Sequence, residues 1–278
     1  MGTESGRTVH RGGSGEPLVL IHGFSGTGRM WEPLLDTLER SHDVLAVNLA
    51  GHVGGAELPA DATVSVDALV DAVERDLDEA GFQTAHVVGN SLGGWIAFEL
   101  ASRGRARSVV ALSPAGGWEA GTAAEKRLRK LFTRTHKLSK AVLPRVDSLM
   151  RRPRLRRALL WQVAAHGERV PPATAAQMVR DAVECPVYFD LMEAIMRDGP
   201  PQTFGAVSCP VLLAWGTSDR ILPSPRYSQR LRELLPNAEW TPLPGLGHVP
   251  MSDDPELVAR TITEFTARAG DRVPAVAG

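Results

Sequence analysis

Residues 85–101 read Ala85-His86-Val87-Val88-Gly89-Asn90-Ser91-Leu92-Gly93-Gly94-Trp95-Ile96-Ala97-Phe98-Glu99-Leu100-Ala101. The first four form a short, mostly apolar run of the kind a strand buried on both faces needs. Residues 92–101 are apolar nearly all round, which predicts a buried helix. Between them, Gly89-Asn90-Ser91-Leu92-Gly93 fits G-x-S-x-G. The pattern by itself is weak, because glycine and serine are common. Its context carries the reading: a serine between strand and helix sits on a sharp, strained turn that pushes its hydroxyl into open space. Gly89 and Gly93 let the backbones approach, and the Leu92 N–H stands at a helix N-terminus, where the dipole favours developing negative charge.

Working outward, short apolar runs recur at residues 17–21, 44–47, 108–112 and 211–215, with a shorter candidate at 238–243. Residues near Thr8 and Val9 suggest an antiparallel edge strand. Helical patterns lie between them: 31–38, 66–77 (apolar at Leu69, Val70, Val73 and Leu77), 225–235 and 255–267, the last two opening on proline. Strand alternating with helix predicts an α/β fold with a mainly parallel, doubly wound sheet.

The alternation stops after residue 114. Residues 128–138, 142–150, 155–163 and 174–183 are helix-like, and no strand run precedes any of them. Charge changes in the same place: residues 119–169 hold fourteen Lys or Arg against four Asp or Glu, a local +10 in a chain of net charge −1. We therefore expect residues 1–114 and 207–278 to form the core and 115–206 a helical insertion over the sheet. The cations Lys126, Arg127, Arg129, Lys130 and Arg134 are read as a solvated helix face with snorkelled stems, attraction of an anionic substrate or a membrane surface being the alternative. Residues 271–278 read as a loose tail.

The 278 residues can bury a core without disulfides. Cys185 and Cys209 are far apart and each precedes proline, so neither looks like half of a redox or zinc pair. With a polar N-terminus and no run long enough to span a membrane, the expected location is the cytoplasm. Nothing in the net charge suggests a nucleic-acid partner.

A serine hydroxyl needs a base to take its proton. His248, in the turn-rich stretch Pro244-Gly245-Leu246-Gly247-His248-Val249-Pro250, is the best-placed histidine. His10, His42, His136 and His166 fall in surface-like or insertion contexts, His86 lies within a strand, and His52 follows Gly51 in a loop near the pocket. The base needs an acceptor that fixes its tautomer. Asp219 follows the 211–215 run, at the end of a strand where open α/β sheets form their crevice. Asp253 and Asp254 read as caps of the last helix. A second oxyanion donor is expected at the Phe24 N–H, after His22-Gly23, with His22 fixing that loop at the pocket edge. Trp118, Trp161, Met192 and Met196 from the insertion, with Asn90, Val249 and Met251 beside the serine and histidine, are the expected pocket lining. Trp95 and Trp215 are expected as core beneath the turn.

Taken together, strand–His22-Gly23, strand–Gly89-Asn90-Ser91-Leu92-Gly93–helix, strand–Asp219 and Gly247-His248, in the order Ser, Asp, His, resemble the α/β-hydrolase fold family over roughly 15–115 and 205–268. The intervening segment resembles that family's helical cap, which usually decides substrate choice. Asn48 stands where the family often has aspartate. Members that hydrolyse epoxides or haloalkanes attack with aspartate, and Ser91 holds that position here. The resemblance thus implies ester hydrolysis of a small molecule through an acyl-enzyme, with no metal or organic cofactor. Gly-Asn-Ser is also similar to hydrolases that cleave carbon–carbon bonds in ring-cleavage products, although those usually carry Trp where Val249 stands. A cofactor-free perhydrolase and a non-catalytic small-molecule receptor are the remaining alternatives. Acyl length and oligomeric state stay open.

Overall fold

The computed structural model describes residues 10–58, 63–201, 204–205 and 207–270. A seven-stranded sheet is built from β1 (His10–Gly13), β2 (Glu16–Ile21), β3 (His42–Val47), β4 (Ala85–Asn90), β5 (Ala106–Leu112), β6 (Val211–Gly216) and β7 (Glu239–Leu243), in the order β1-β3-β2-β4-β5-β6-β7. Only β1 runs antiparallel, pairing His10 with Ala46 on β3. An antiparallel edge strand is thus present at His10–Gly13, while Thr8 and Val9, where it was expected, lie outside the described residues, as does the 271–278 tail.

The pleat sends neighbouring residues of a strand to opposite faces. In β2, Val19 and Ile21 enter the apolar layer under α2 (Val66–Glu79) and α3 (Leu92–Ser102). Leu18 and Leu20 enter the layer shared with α1 (Glu32–Leu38) and α10 (Pro255–Gly270). Val87 and Val88, like Val109 and Val110, divide the same way. This is why the central strands read as continuous apolar runs. Helix α9 (Ser224–Leu234) joins β6 to β7.

Chain order reverses direction across the sheet between β2 and β4: β3 lies on one side of β2, and β4 with its successors on the other. Loops leaving the C-terminal ends of those two strands therefore diverge and open a crevice. Ser91 follows β4 and His22 follows β2.

Between β5 and β6 the described residues form α4 (Ala123–Val142), α5 (Val146–Met150), α6 (Pro153–Leu159), α7 (Pro172–Glu184) and α8 (Tyr188–Asp198). The segment expected as one helix over 142–150 is interrupted by a tight turn at Leu143–Arg145, where Pro144 lacks an N–H to donate. Helix α8 was not anticipated, although Tyr188, Leu191, Met192 and Ile195 recur at helical spacing and are buried. These helices carry a small core of their own, centred on Val146, Met150, Ala175 and Val179.

The turn into α3 depends on two close approaches. A Cβ on Gly89 would lie 2.1 Å from the Gly93 carbonyl oxygen, and one on Gly93 would lie 2.2 Å from that of Ile21. Backbone atoms cannot yield as a side chain can. Gly89→Ala and Gly93→Ala should each cost at least about 3 kcal/mol. Gly81→Ala, whose added methyl meets nothing within 4 Å, should cost only about 1 kcal/mol, from its left-handed backbone. Urea unfolding of the three variants checks the difference, and equal losses would contradict it.

Candidate active site

Ser91 has φ 56° and ψ −115°. Its N–H donates to the Leu112 carbonyl at 3.0 Å, and its own carbonyl accepts from Gly94, Trp95 and Ala115 N–H groups at 3.0, 3.3 and 2.8 Å. The strained residue is therefore held from both β5 and the start of α3. Leu92 opens α3, so its N–H has no acceptor inside the helix. The chain after β2 turns back through a Gly26 N–H to Gly23 carbonyl bond, with Ser25 at φ 57°. Among the described residues, no acceptor meets the N–H of Phe24 or of Leu92.

His248 and Asp219 meet: Nδ1 and Oδ2 are 2.7 Å apart, and both side chains are buried. The other carboxylate oxygen of Asp219 accepts from the Ile221 and Leu222 N–H groups at 2.9 and 2.8 Å. Those two bonds fix the carboxylate plane and oblige Oδ2 to face the ring. An imidazole bonded this way presents its second nitrogen as a free acceptor. Bonds from Thr217 N–H to the Leu243 carbonyl and from Ser218 N–H to the Leu246 carbonyl hold the two loops together.

Asn90 does not line the pocket as expected. Its amide donates to the Leu112 carbonyl and to the His248 carbonyl, each at 2.9 Å. The residue before the serine thus ties the histidine's backbone to the end of β5. His22 is also turned away from the cavity. It is fully buried, with Nδ1 2.8 Å from the Gly23 carbonyl and Nε2 accepting from the Leu49 N–H at 2.9 Å. His52 packs edge-on against it at 5.1 Å. Burial pushes the His22 pKa down to about 3 and that of His52 to about 4. Both rings are neutral fasteners of the loops around Ser91. Asn48 takes the same part, accepting from the Gly28 N–H at 2.6 Å.

A cavity lies over Ser91. One wall comes from Phe24, Leu92, Trp95, Ala115, Ile221 and Leu222, the other from Trp118, Leu128, Phe132, Met192, Ile195 and Met196. Apart from Ser91 every lining residue is apolar. Trp118, Met192 and Met196 are where the sequence placed them. Trp95 packs in the core as expected and also reaches the cavity, its ring edge-on to Trp118 at 5.9 Å. Trp215 is core, its indole N–H donating to the Leu222 carbonyl.

Three expected lining residues lie elsewhere. Val249 and Met251 are buried in the layer beneath α10. Trp161 is 48% exposed, lies under the Arg220 guanidinium and faces a separate groove. Likewise His42, expected near the surface, is buried and bonded to Thr266.

Asp253 is the main residue that sequence reasoning missed. Asp254 does cap α10, accepting from the Leu257 N–H. Asp253, in contrast, points backwards: Oδ2 accepts from the Gly247 and Ala165 N–H groups at 2.7 and 3.0 Å, and Oδ1 from the His166 N–H at 2.7 Å. With the Val249 N–H donating to the Val163 carbonyl at 2.8 Å, both neighbours of His248 are fastened to residues 163–166. A three-residue spacing before a helix signals a cap, and nothing in the local sequence distinguishes the aspartate that caps from the one that clasps.

Among the described residues no three His, Cys, Asp or Glu side chains are grouped to hold a metal ion, and no helix is long and apolar enough to cross a membrane.

The family described as "Alpha/beta hydrolase family" matches residues 18–261. Among curated proteins, the chain is 36% identical over 199 residues to "Epoxide hydrolase EphH" of Mycobacterium tuberculosis, covering 71% of this chain and 92% of that one. It is 27% identical to "Lipase 3" of a Moraxella species, covering 91% of this chain and 77% of the relative. Among solved structures, that of "a membrane phospholipase A, a novel bacterial virulence factor" superimposes with a TM-score of 0.75 at 25% identity, covering 95% of this chain and 83% of that one.

Two predictions follow from these contacts. Asp253→Ala leaves three backbone N–H groups without their carboxylate, two of them beside buried residues. It should cost about 2–4 kcal/mol by urea unfolding, and a loss below 1 kcal/mol would mean that water replaces the clasp. The buried histidines set an acid limit. Burial lowers the pKa of His22 and His52, and also of His42 and His86, below the usual 6.5. Unfolding therefore takes up protons below about pH 6.5, so stability is full above that and lost as the pH falls. Each of the two deepest rings should add a slope of up to about 1.4 kcal/mol per pH unit between roughly pH 6 and 4. Stability that stays flat over that interval would contradict the assignment.

Proposed function

Because this chain belongs to the alpha/beta hydrolase family and is a hydrolase, we propose that it cleaves a carboxylic ester of a small organic substrate through an acyl-enzyme on Ser91. The observation that carries the reading is the Asp219–His248 pair at 2.7 Å, whose histidine backbone is tied by Asn90 to the strand end beside Ser91. Ser91 is the polar point of an otherwise apolar cavity.

In this reading Ser91 Oγ attacks the substrate carbonyl while His248 Nε2 takes the hydroxyl proton. Asp219 keeps the Nδ1–H tautomer and stabilises the imidazolium. The oxyanion accepts from the N–H groups of Leu92 and Phe24, which are pre-aimed and bring no reorganisation cost. The imidazolium returns its proton to the leaving alkoxide, and water admitted to the same face repeats the sequence on the acyl-enzyme. Helices α4–α8, within residues 115–206, serve as a cap, because Leu128, Phe132 and Met192 supply the far wall that selects the acyl or alcohol group.

The 36% identity to a protein named an epoxide hydrolase makes an epoxide the competing substrate. Chemistry separates the two. A carboxylate that opens an epoxide forms an ester, which water can cleave at its carbonyl. A serine oxygen would form an alkyl ether with no such carbon, and turnover would stop after one event. Ser91 therefore favours a substrate that brings its own carbonyl. Carbon–carbon cleavage and perhydrolysis use such a carbonyl too, and are decided by substrate.

Hydrolysis of p-nitrophenyl esters of increasing acyl length should show an optimum for a hydrophobic acyl group. Ser91→Ala and His248→Ala should each lower kcat by at least about 10³-fold. Asp219→Asn should do so at unchanged folding. An ester activity that survives in Ser91→Ala would overturn the assignment of the nucleophile. Esters and ring-cleavage products both untouched, with a styrene oxide turned over repeatedly, would replace the proposal by epoxide hydrolysis. Tight ligand binding without turnover would instead identify a receptor.

A further inference from the structure

Helix α4 has two faces with different surroundings. Leu128 and Phe132 on its inner face line the cavity over Ser91. On the outer face Lys126, Lys130, Arg134 and Lys137 follow one another at spacings of four, four and three, so they form one stripe, and all are exposed. Five arginines of the sheet-bearing part pair with carboxylates: Arg11 with Asp43, Arg103 with Asp71 and Glu74, Arg105 with Asp78, Arg107 with Glu16, Arg268 with Glu239. Among the described residues, no carboxylate lies within ion-pairing distance of any of the four on α4. The solvated-face reading accounts for their exposure. It does not account for the missing counter-charge, which leaves a stripe of like charges repelling one another.

Beside the stripe lies a groove with Arg134 at its rim and Leu138, Val142, Leu159 and Trp161 among its walls. Leu138 is 51% exposed and Trp161 48%. Among the described residues only Phe189 is a further large hydrophobic so exposed. A polyanion such as a nucleic acid would match the stripe and leave the groove wetted. Anionic lipid headgroups match the stripe, while the region just beneath them takes Leu and Trp side chains.

We propose that the outer face of α4 and the adjoining groove form a docking surface for an anionic lipid bilayer. The cations meet the headgroups, and Leu138 and Trp161 enter the interface. The inner face of the same helix remains the cavity wall, so the docked protein holds its hydrophobic cavity within one helix diameter of the lipid. The inference does not depend on the nature of the reaction.

The test uses the full chain with vesicles of phosphatidylcholine alone or mixed with phosphatidylglycerol, read by co-sedimentation and tryptophan emission. Binding should require the anionic lipid, weaken at high ionic strength and shift emission to the blue. Lys130→Glu/Arg134→Glu/Lys137→Glu should lower the partition coefficient at least about 100-fold while leaving hydrolysis of a short soluble ester unchanged, which also shows that the variant is folded. Trp161→Phe should remove most of the emission shift, and Leu138→Ser should weaken binding with the charge intact. Equal binding to neutral and anionic vesicles overturns the proposal, as does wild-type affinity in the charge-reversed variant. Retention by a duplex oligonucleotide without binding to vesicles would overturn it in favour of a polyanion partner.

Discussion

At Ser91 the backbone takes φ 56° and ψ −115°, a conformation that costs an ordinary residue about 1–3 kcal/mol. The surrounding structure is arranged to hold it. Gly89 and Gly93 vacate the space that two crossing backbones occupy, Leu112 and Ala115 bond the serine's peptide groups from the next strand, and β4 and α3 bury their apolar surface on either side. The strain turns the hydroxyl out of the sheet and leaves the first N–H of α3 unclaimed. A relaxed serine would continue the strand or the helix, and the cavity would lose its polar point.

His248 comes from a loop 158 residues away along the chain from Asn90, so its placement cannot follow from local geometry. Three polar contacts substitute for it. Asp219 orients the ring, Asn90 holds the backbone carbonyl, and Asp253 with Val163 fastens both flanks. Each is buried and directional, so each specifies one position of the ring more than it adds to net stability. Asp181 does the same at the other end of the helical segment. It is buried on α7 and accepts from Thr27 and Arg29 on the loop after β2 and from Gln177 on its own helix.

What was legible in the sequence follows from this division. Residues 85–101 show strand, turn and helix because periodicity and glycine spacing are local, and the apolar runs mark β2 through β6 because both faces of each are buried. Ser91, Asp219 and His248 could be singled out because each sits at a strand end with turn residues around it. Whether a core tryptophan also reaches the cavity was not legible: Trp95 and Trp215 are both buried in the core, and only Trp95 lines the cavity as well. Val249 and Met251 looked like pocket residues by proximity to His248, but the chain dives into the α10 layer directly after the ring. Trp161 has the composition of a lining residue and the position of a surface one. Asp253 was hidden by its neighbour, since two adjacent aspartates before Pro255 satisfy the same capping pattern.

The helical segment meets the sheet through two kinds of contact with different consequences. Its apolar residues are divided between a private core around Val146 and Met150, the wall of the cavity, and the layer under α2 and α3, where Val187, Tyr188 and Leu191 pack. The buried carboxylates, Asp181 and Asp253, add directional contacts at two points of that boundary. The clasp at Asp253 adds a directional tie to this boundary: it joins Gly247 to Ala165 and His166 while Val249 bonds Val163, so a displacement of residues 163–166 is passed directly to the His248 ring between them.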